Sequence, residues 1–201
     1  MAQIILIDKP LSPASQVAPV IRSAGVALAA SALIAACAHI SLPLFFTPVP
    51  LTLQPFAVLL IGMLLNPAAA FAALAMYLLE GAAGLPVFTP HGPGRVMQLL
   101  GPTGGYLFSY LLAAPLVSWL RRQGSQTFAR SVGAGFVGIV VILTCGAVRL
   151  EALTHVAIGT LLMQAVLPFL PGGGLDVIAA AGVAGGVQRL RTRKDPAGES
   201  I

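Results

Sequence analysis

The chain has 201 residues, of which 57% are hydrophobic and only 8% charged, with a mean hydropathy of +0.93 and a formal net charge of +5. Soluble domains carry roughly 25% charged residues, so this inventory excludes a water-facing globular surface and predicts an all-α integral membrane protein. The basic residues stand at the borders of apolar blocks, where they report membrane topology and not a nucleic-acid footprint.

Membrane strands alternate apolar and polar residues. Ala24–Ile40 and Val132–Thr144 show no such alternation, so helices are predicted. Residues 1–19 contain Asp8, Lys9 and three prolines, and they lack the apolar core of a cleavable signal. They are expected to be a cytoplasmic N-terminal segment. A spanning helix needs roughly 20 apolar residues. The apolar blocks read as span 1 at Val20–Ile40, span 2 at Thr52–Leu65, span 3 at Pro67–Ala83, span 4 at Thr103–Leu120, span 5 at Ala129–Leu150 and span 6 at Gly172–Leu190. A transmembrane domain over 20–190 and a basic cytoplasmic tail over 191–201 follow.

The block Ala152–Leu170 reads either as a seventh span or as a short helix within a loop, and charge placement favours the second. With six spans and both termini inside, the cytoplasmic face carries Lys9, Arg22, Arg121, Arg122, Arg130, Arg189, Arg191, Arg193 and Lys194, and the outer face only Arg95 and Arg149. Nine against two obeys the positive-inside rule, whereas a seventh span would give five against six. Asn66-Pro67 is then a tight cytoplasmic turn. The outer connections, Ser41–Leu51, Gly84–Pro102 and Glu151–Pro171, are long and unusually apolar, as in a fold that closes over something.

One stretch, "GLPVFTPHGPGRVMQLLGPTGGY" (Gly84–Tyr106), packs six glycines and four prolines into a segment expected to be neither helix nor strand. As a phosphate loop it fails, because a Walker motif requires Lys after its last glycine and none is present. Gly104 and Gly105 would instead let backbone approach a ligand or a neighbouring helix. Intramembrane acids are costly and mark candidate sites, and two qualify: Glu80 near the outer end of span 3, and Asp176 after Pro171-Gly172-Gly173-Gly174. Arg95 or Arg149 could pair with either acid or hold a ligand carboxylate. His39, His91 and His155 show no close pairing, so no metal site is expected. The chain has no nucleophile-and-base set, so no enzyme is expected. Cys37 and Cys145 fall within spans as packing residues. Tyr77, Phe88 and Tyr106 gather at the outer ends of spans 3 and 4, where a stacking pocket can form. In span 1, small residues four apart (Ala27/Ser31/Ala35 and Ala32/Ala36) make a stripe for close helix contact, within the chain or with another subunit.

The phrases "TPVPLTLQPFAVLLIGMLL", "YLLEGAAGLPVF", "LLGPTGGYLFSY" and "VLPFLPGG" occur in an order and spacing that resemble the BioY family, from about Ala24 to Gly186. These are the biotin-specific membrane subunits, or S-components, of energy-coupling-factor (ECF) transporters. The resemblance implies a six-helix membrane protein whose outer loops cap a biotin pocket. It also implies partnership with a transmembrane coupling subunit and two cytoplasmic ATPase subunits, in the bacterial cytoplasmic membrane, with no cofactor in this chain. By position in the matching phrases, Gln54, Tyr77, Phe88, Thr103, Gly104 and Tyr106 are expected near the ligand, together with Asp176. Ser31 and Ala35, or Ala32 and Ala36, match the family's Ala-x-x-x-Ala docking face. One departure stands out. The family shows P-G-D-x-x-K at the start of its last helix, where this chain has Gly173 for the acid and Asp176 for the Lys. A ligand carboxylate would thereby lose its positive partner unless Arg95 or Arg149 substitutes. The residues alone also admit an ion-coupled secondary carrier using Glu80 and Asp176 as protonation sites, or a scaffold or S-component for another vitamin-like ligand.

Overall fold

A computed structural model describes residues 13–194; residues 1–12, with Lys9, and 195–201 lie outside it. Most of the described chain is helical. In order it runs α1 (Pro13–His39), a two-stranded ribbon β1 (Ser41–Leu42) and β2 (Leu51–Thr52), α2 (Gln54–Leu64), α3 (Pro67–Ala83), α4 (Arg95–Leu100), α5 (Gly104–Arg122), α6 (Phe128–Thr154), α7 (Ile158–Ala165), a 3-10 turn (Leu167–Phe169) and α8 (Leu170–Lys194). Among the described residues, three stretches are long and apolar enough to cross a membrane: Ile21–His39, Phe128–Thr154 and Ile158–Arg191. Gln54–Leu64 and Pro67–Ala83 are shorter apolar helices. α1 begins before, and α8 runs beyond, the 20–190 limits expected from hydropathy.

Local chemistry sets the boundaries. Pro55 opens α2, where a missing N–H costs nothing. The Asn66 side chain accepts from the Ala69 N–H at 2.8 Å and Pro67 follows, so the predicted tight turn becomes the N-cap of α3. α3 stops at Gly84, whose φ of +104° is the left-handed cap that glycine adopts without strain. Thr127 caps α6 through the Arg130 N–H. α7 has eight residues, about 12 Å at 1.5 Å per residue, so Ala152–Leu170 holds a short helix.

One expectation needs correction, and one connection carries structure that hydropathy does not report. Gly84–Tyr106 is not free of regular structure: Arg95–Leu100 forms α4, because the run Val96–Leu100 lies between Gly94 and Gly101-Pro102 and is long enough for one and a half turns. The connection Ser41–Leu51 likewise carries strand pairing, Ser41 opposite Thr52 and Leu42 opposite Leu51.

α5 is central, packing on α6, α3 and α2, while α8 closes against α2 and α6, and α1 lies on α3 and α2. Ile34, Leu59, Leu74, Tyr77, Ile142 and Leu150 are fully enclosed. Phe71, Leu79, Phe108, Leu112, Phe136, Val140, Leu175 and Ile178 point outward. Helices apolar on both faces suit a hydrocarbon solvent. At the α5–α6 end, Arg121 is buried and donates to Ser131 Oγ (2.9 Å), Gln188 Oε1 (2.8 Å) and the Met63 carbonyl, fastening α6, α8 and α2 to α5.

Candidate functional site

At the opposite end of the bundle from Arg121, the helices leave a cavity with an empty volume of about 650 Å³, its mouth included. Its walls come from the first turns of α2, α5 and α8 and from the α6 face Ile139, Ile142 and Leu143. Two connections cover it: Val49–Thr52, leading into and along β2, and the segment bearing Phe88, Thr89 and Gln98. Ser41 Oγ and His91 Nδ1 share a 2.9 Å hydrogen bond that ties these two covers together.

Most of the predicted ligand residues converge here. Gln54, Phe88, Thr103, Tyr106 and Asp176 all line the cavity. Tyr77 stands one layer behind: its hydroxyl accepts from Gln54 Nε2 at 2.6 Å and donates to the Val87 carbonyl at 3.2 Å, and its ring meets Phe88 edge-on with centroids 5.4 Å apart. Thr52 Oγ1 donates to Gln54 Oε1 at 3.1 Å, so a polar chain runs from β2 through α2 and α3 to the cover. Thr103 Oγ1 accepts from Gln98 Nε2 (3.1 Å) and donates to the Gln98 carbonyl (3.2 Å), while Gln98 Oε1 accepts from the Gly94 N–H (3.2 Å). Gly104 is not in the lining. It sits where a side chain would strike the Leu99 carbonyl, so it permits the tight passage from α4 into α5. Tyr106 donates to the Ala165 carbonyl at 2.8 Å and packs on Phe169 at 5.9 Å, not on Tyr77 or Phe88, so the aromatics form two pairs and not one cluster.

Asp176, in the second turn of α8, is 9% exposed and is the cavity's one charged side chain. Arg95 and Arg149 are outside the lining. Arg149 donates to the Leu100 carbonyl, and the Arg95 guanidinium lies along Gly84. Glu80 is also elsewhere, accepting from Ser31 Oγ across the α1–α3 contact. That bond turns Ser31 inward: of the four predicted docking residues, Ala32 and Ala36 are exposed, Ala35 is half-buried and Ser31 is buried. Gly25 and Ala29 continue the exposed edge. Among the described residues, no three His, Cys, Asp or Glu side chains gather as a metal site would require.

Sequence reasoning missed Thr89, Gln98, Tyr110, Phe169 and the α6 face. Tyr110 follows Tyr106 by four residues, so it shares that helical face and could have been found. Ile139, Ile142 and Leu143 follow the same periodicity. Gln98, a lone amide in an apolar run, was a weaker signal. Phe169 lies within the matching phrase VLPFLPGG and could have been found there, whereas for Thr89 the sequence carries no local signal.

The chain matches the model of the BioY family over residues 10–193. It is 35% identical to the biotin transporter BioY of Thermotoga maritima over 82% of this chain and 94% of that protein. It is 34% identical to the biotin transporter BioY2 of Lactococcus lactis subsp. cremoris over 70% and 75% of the two chains. It superimposes with a TM-score of 0.75, at 24% identity, on a crystal structure of the S-component for biotin from an ECF-type ABC transporter, covering 90% of this chain and 95% of that one. The fold is therefore shared with that S-component, and the chain belongs to the BioY family.

Proposed function

We propose that this chain is the substrate-binding membrane subunit of a biotin uptake system, a transporter component and not an enzyme. The observation that carries the reading is the cavity: a covered, mainly apolar pocket at one end of the bundle, lined by four of the six residues expected from the matching phrases, with Asp176 beside them. Biotin offers a flat bicyclic ring and a polar ureido group, and Phe88, Tyr106, Ile139 and Ile142 supply apolar walls beside Gln54, Thr103 and Asp176. The cover on β2 and the α4 segment narrows the pocket's access to solvent, and polar ligand groups buried beneath it need protein partners.

α1, α2, α3, α5, α6 and α8 are the six membrane crossings, with α4 and α7 as short outer helices. Both termini are cytoplasmic, because Arg22, Arg121, Arg122, Arg130, Arg189, Arg191 and Arg193 lie toward the end of the bundle opposite the cavity, while Arg95 and Arg149 flank the cavity end. Within the chain, binding and enclosure are what these residues perform; energy comes from ATP hydrolysis by partner ATPase subunits through a coupling subunit. The exposed small edge Gly25, Ala29, Ala32 and Ala36 on α1 is the docking face, since small residues let helix backbones approach closely.

The test is uptake of labelled biotin by biotin-requiring cells that express the chain with its partner subunits. Saturable uptake that unlabelled biotin suppresses, and that falls when the ATPases are inactivated, is expected. Uptake no greater than in cells lacking the chain would refute the reading. Uptake that survives ATPase loss but collapses with an uncoupler would favour an ion-coupled carrier.

A further inference from the structure

At the end of the bundle away from the cavity, a buried cation has hydrogen-bond partners but no counter-charge. Arg121 is 6% exposed, and its bonds go to the Ser131 hydroxyl, the Gln188 amide oxygen and the Met63 carbonyl, all of them neutral. Its neighbour Arg122 donates to Ser118 Oγ at 3.3 Å, again a neutral group. Both arginines line a pocket between the ends of α2, α5 and α8, where Arg191 and the amides of Gln126 and Gln188 join them and no acid does. The described acids, Glu80, Glu151 and Asp176, lie toward the cavity end. Buried charge is ordinarily paired, so three cations around one space point to an anion that no described residue supplies.

A second hollow adjoins this pocket and shares Gln126 and Gln188 with it. It lies between Phe128 at the start of α6 and the α8 glycines Gly182, Gly185 and Gly186. A Cβ added at any of the three glycines meets nothing within 4 Å, so the trough stands open along bare backbone. From Arg189 back to Gly182 it follows α8 for about 10 Å, from the charged rim toward the middle of the span. A cationic pocket at interface depth that opens on an uncharged trough has the two-part form of a phospholipid, with room for a phosphate in one and an acyl chain in the other. Basic pockets between helices on the cytoplasmic side are a recurrent seat for anionic headgroups.

We propose that this end of the bundle binds one anionic phospholipid of the inner leaflet, with its phosphate against Arg122 and Arg191 beside the buried Arg121 and an acyl chain along Gly182, Gly185 and Gly186. A helix of another protein fits the trough less well, because it must carry an acid at this one depth, whereas every anionic lipid of the leaflet brings a phosphate there. The bound phosphate offsets the charge of the arginine that fastens α2, α6 and α8 to α5, so the lipid steadies the bundle. The inference rests on the assignment of this end to the cytoplasmic face and is independent of what fills the cavity.

Calorimetric titration of the full-length protein in a nonionic detergent tests it with three probes: dioctanoyl phosphatidylglycerol, dioctanoyl phosphatidylcholine and glycerol 1-phosphate. The anionic lipid should saturate at one site per chain and raise the melting point. The zwitterionic lipid and the chainless phosphate should each bind at least tenfold more weakly. The double variant Arg122→Gln/Arg191→Gln leaves the Arg121 bonds in place. It should weaken the anionic lipid roughly 10- to 30-fold and bring the two lipids within about threefold of each other. Gly185→Leu fills the trough and should weaken both lipids while leaving glycerol 1-phosphate unchanged. A cooperative melt shows that each variant is folded. Equal affinity for the two lipids, or an anionic-lipid affinity unchanged in either variant, would overturn the inference. Glycerol 1-phosphate binding as tightly as the lipid would also overturn it, in favour of a free phosphate site. Lipid affinity unchanged in the double variant, together with lost assembly with the coupling subunit, would assign the face to a protein partner instead.

Discussion

The side chains behind the cavity wall hold those in front. Gln54 reaches the cavity only because its amide is fixed from two sides, by Thr52 Oγ1 and by the Tyr77 hydroxyl. Tyr77 is fully buried and passes the restraint on to the Val87 carbonyl. Networks in a low-dielectric interior act together, and a partner left unpaired costs more than the bond itself was worth. Tyr77→Phe removes one hydroxyl and strands two groups, so it is expected to destabilise the protein by about 1–3 kcal/mol. Biotin affinity should fall as well, although Tyr77 does not line the pocket. Thermal melting and calorimetry on the same preparation check both, and unchanged values in both would show that Gln54 needs no support.

At the scale of elements, the seam between α5 and α6 shapes the site most. Gly105 lies against the Cys145 carbonyl and the Arg149 Cβ, and Gly146 lies under the Tyr106 ring, so each glycine makes room for the close approach of the other helix. In lipid, helices gain little from a hydrophobic effect between them, and close packing carries the association. Gly146→Val would push into the Tyr106 ring, which donates to Ala165 and packs on Phe169 at the cavity edge. Overpacking of this kind costs about 1–3 kcal/mol. A lowered melting point together with weaker biotin binding is expected, and a wild-type affinity would mean that Tyr106 holds its place by other contacts. The helices on either side of this seam were legible in the sequence, as was Asn66-Pro67 as a turn, because long apolar blocks and capping residues are local signals. α4 was hidden, since the glycines and prolines around Val96–Leu100 outweigh a six-residue run. Spacing places Ser31 in a small-residue stripe for helix contact, and the family resemblance matches it to a docking face. Its partner Glu80 lies 49 residues away, a pairing that only the fold reveals.

Across the whole molecule, the two ends differ in kind. One end carries a buried arginine that staples four helices, with Arg122 and Arg191 near it; the other carries the covered cavity with Asp176 in its wall. Hydropathy and charge were enough to read that polarity from the sequence. The identity of the cavity wall was only partly readable, because Thr89, Phe169 and the α6 face reach it through tertiary packing. A substitution that fills the cavity while sparing the fold isolates the central claim. Gly173 lines the cavity in the first turn of α8, and a side chain added there meets Ile139 at 3.1 Å. A non-glycine residue also favours helix by up to about 1 kcal/mol, so Gly173→Leu should remain folded with its pocket occupied. The direct measurement is equilibrium binding of labelled biotin to purified wild type and Gly173→Leu. The account predicts saturable binding to wild type at one site per chain and none to the variant; biotin binding undiminished in Gly173→Leu, or absent from wild type, would contradict it.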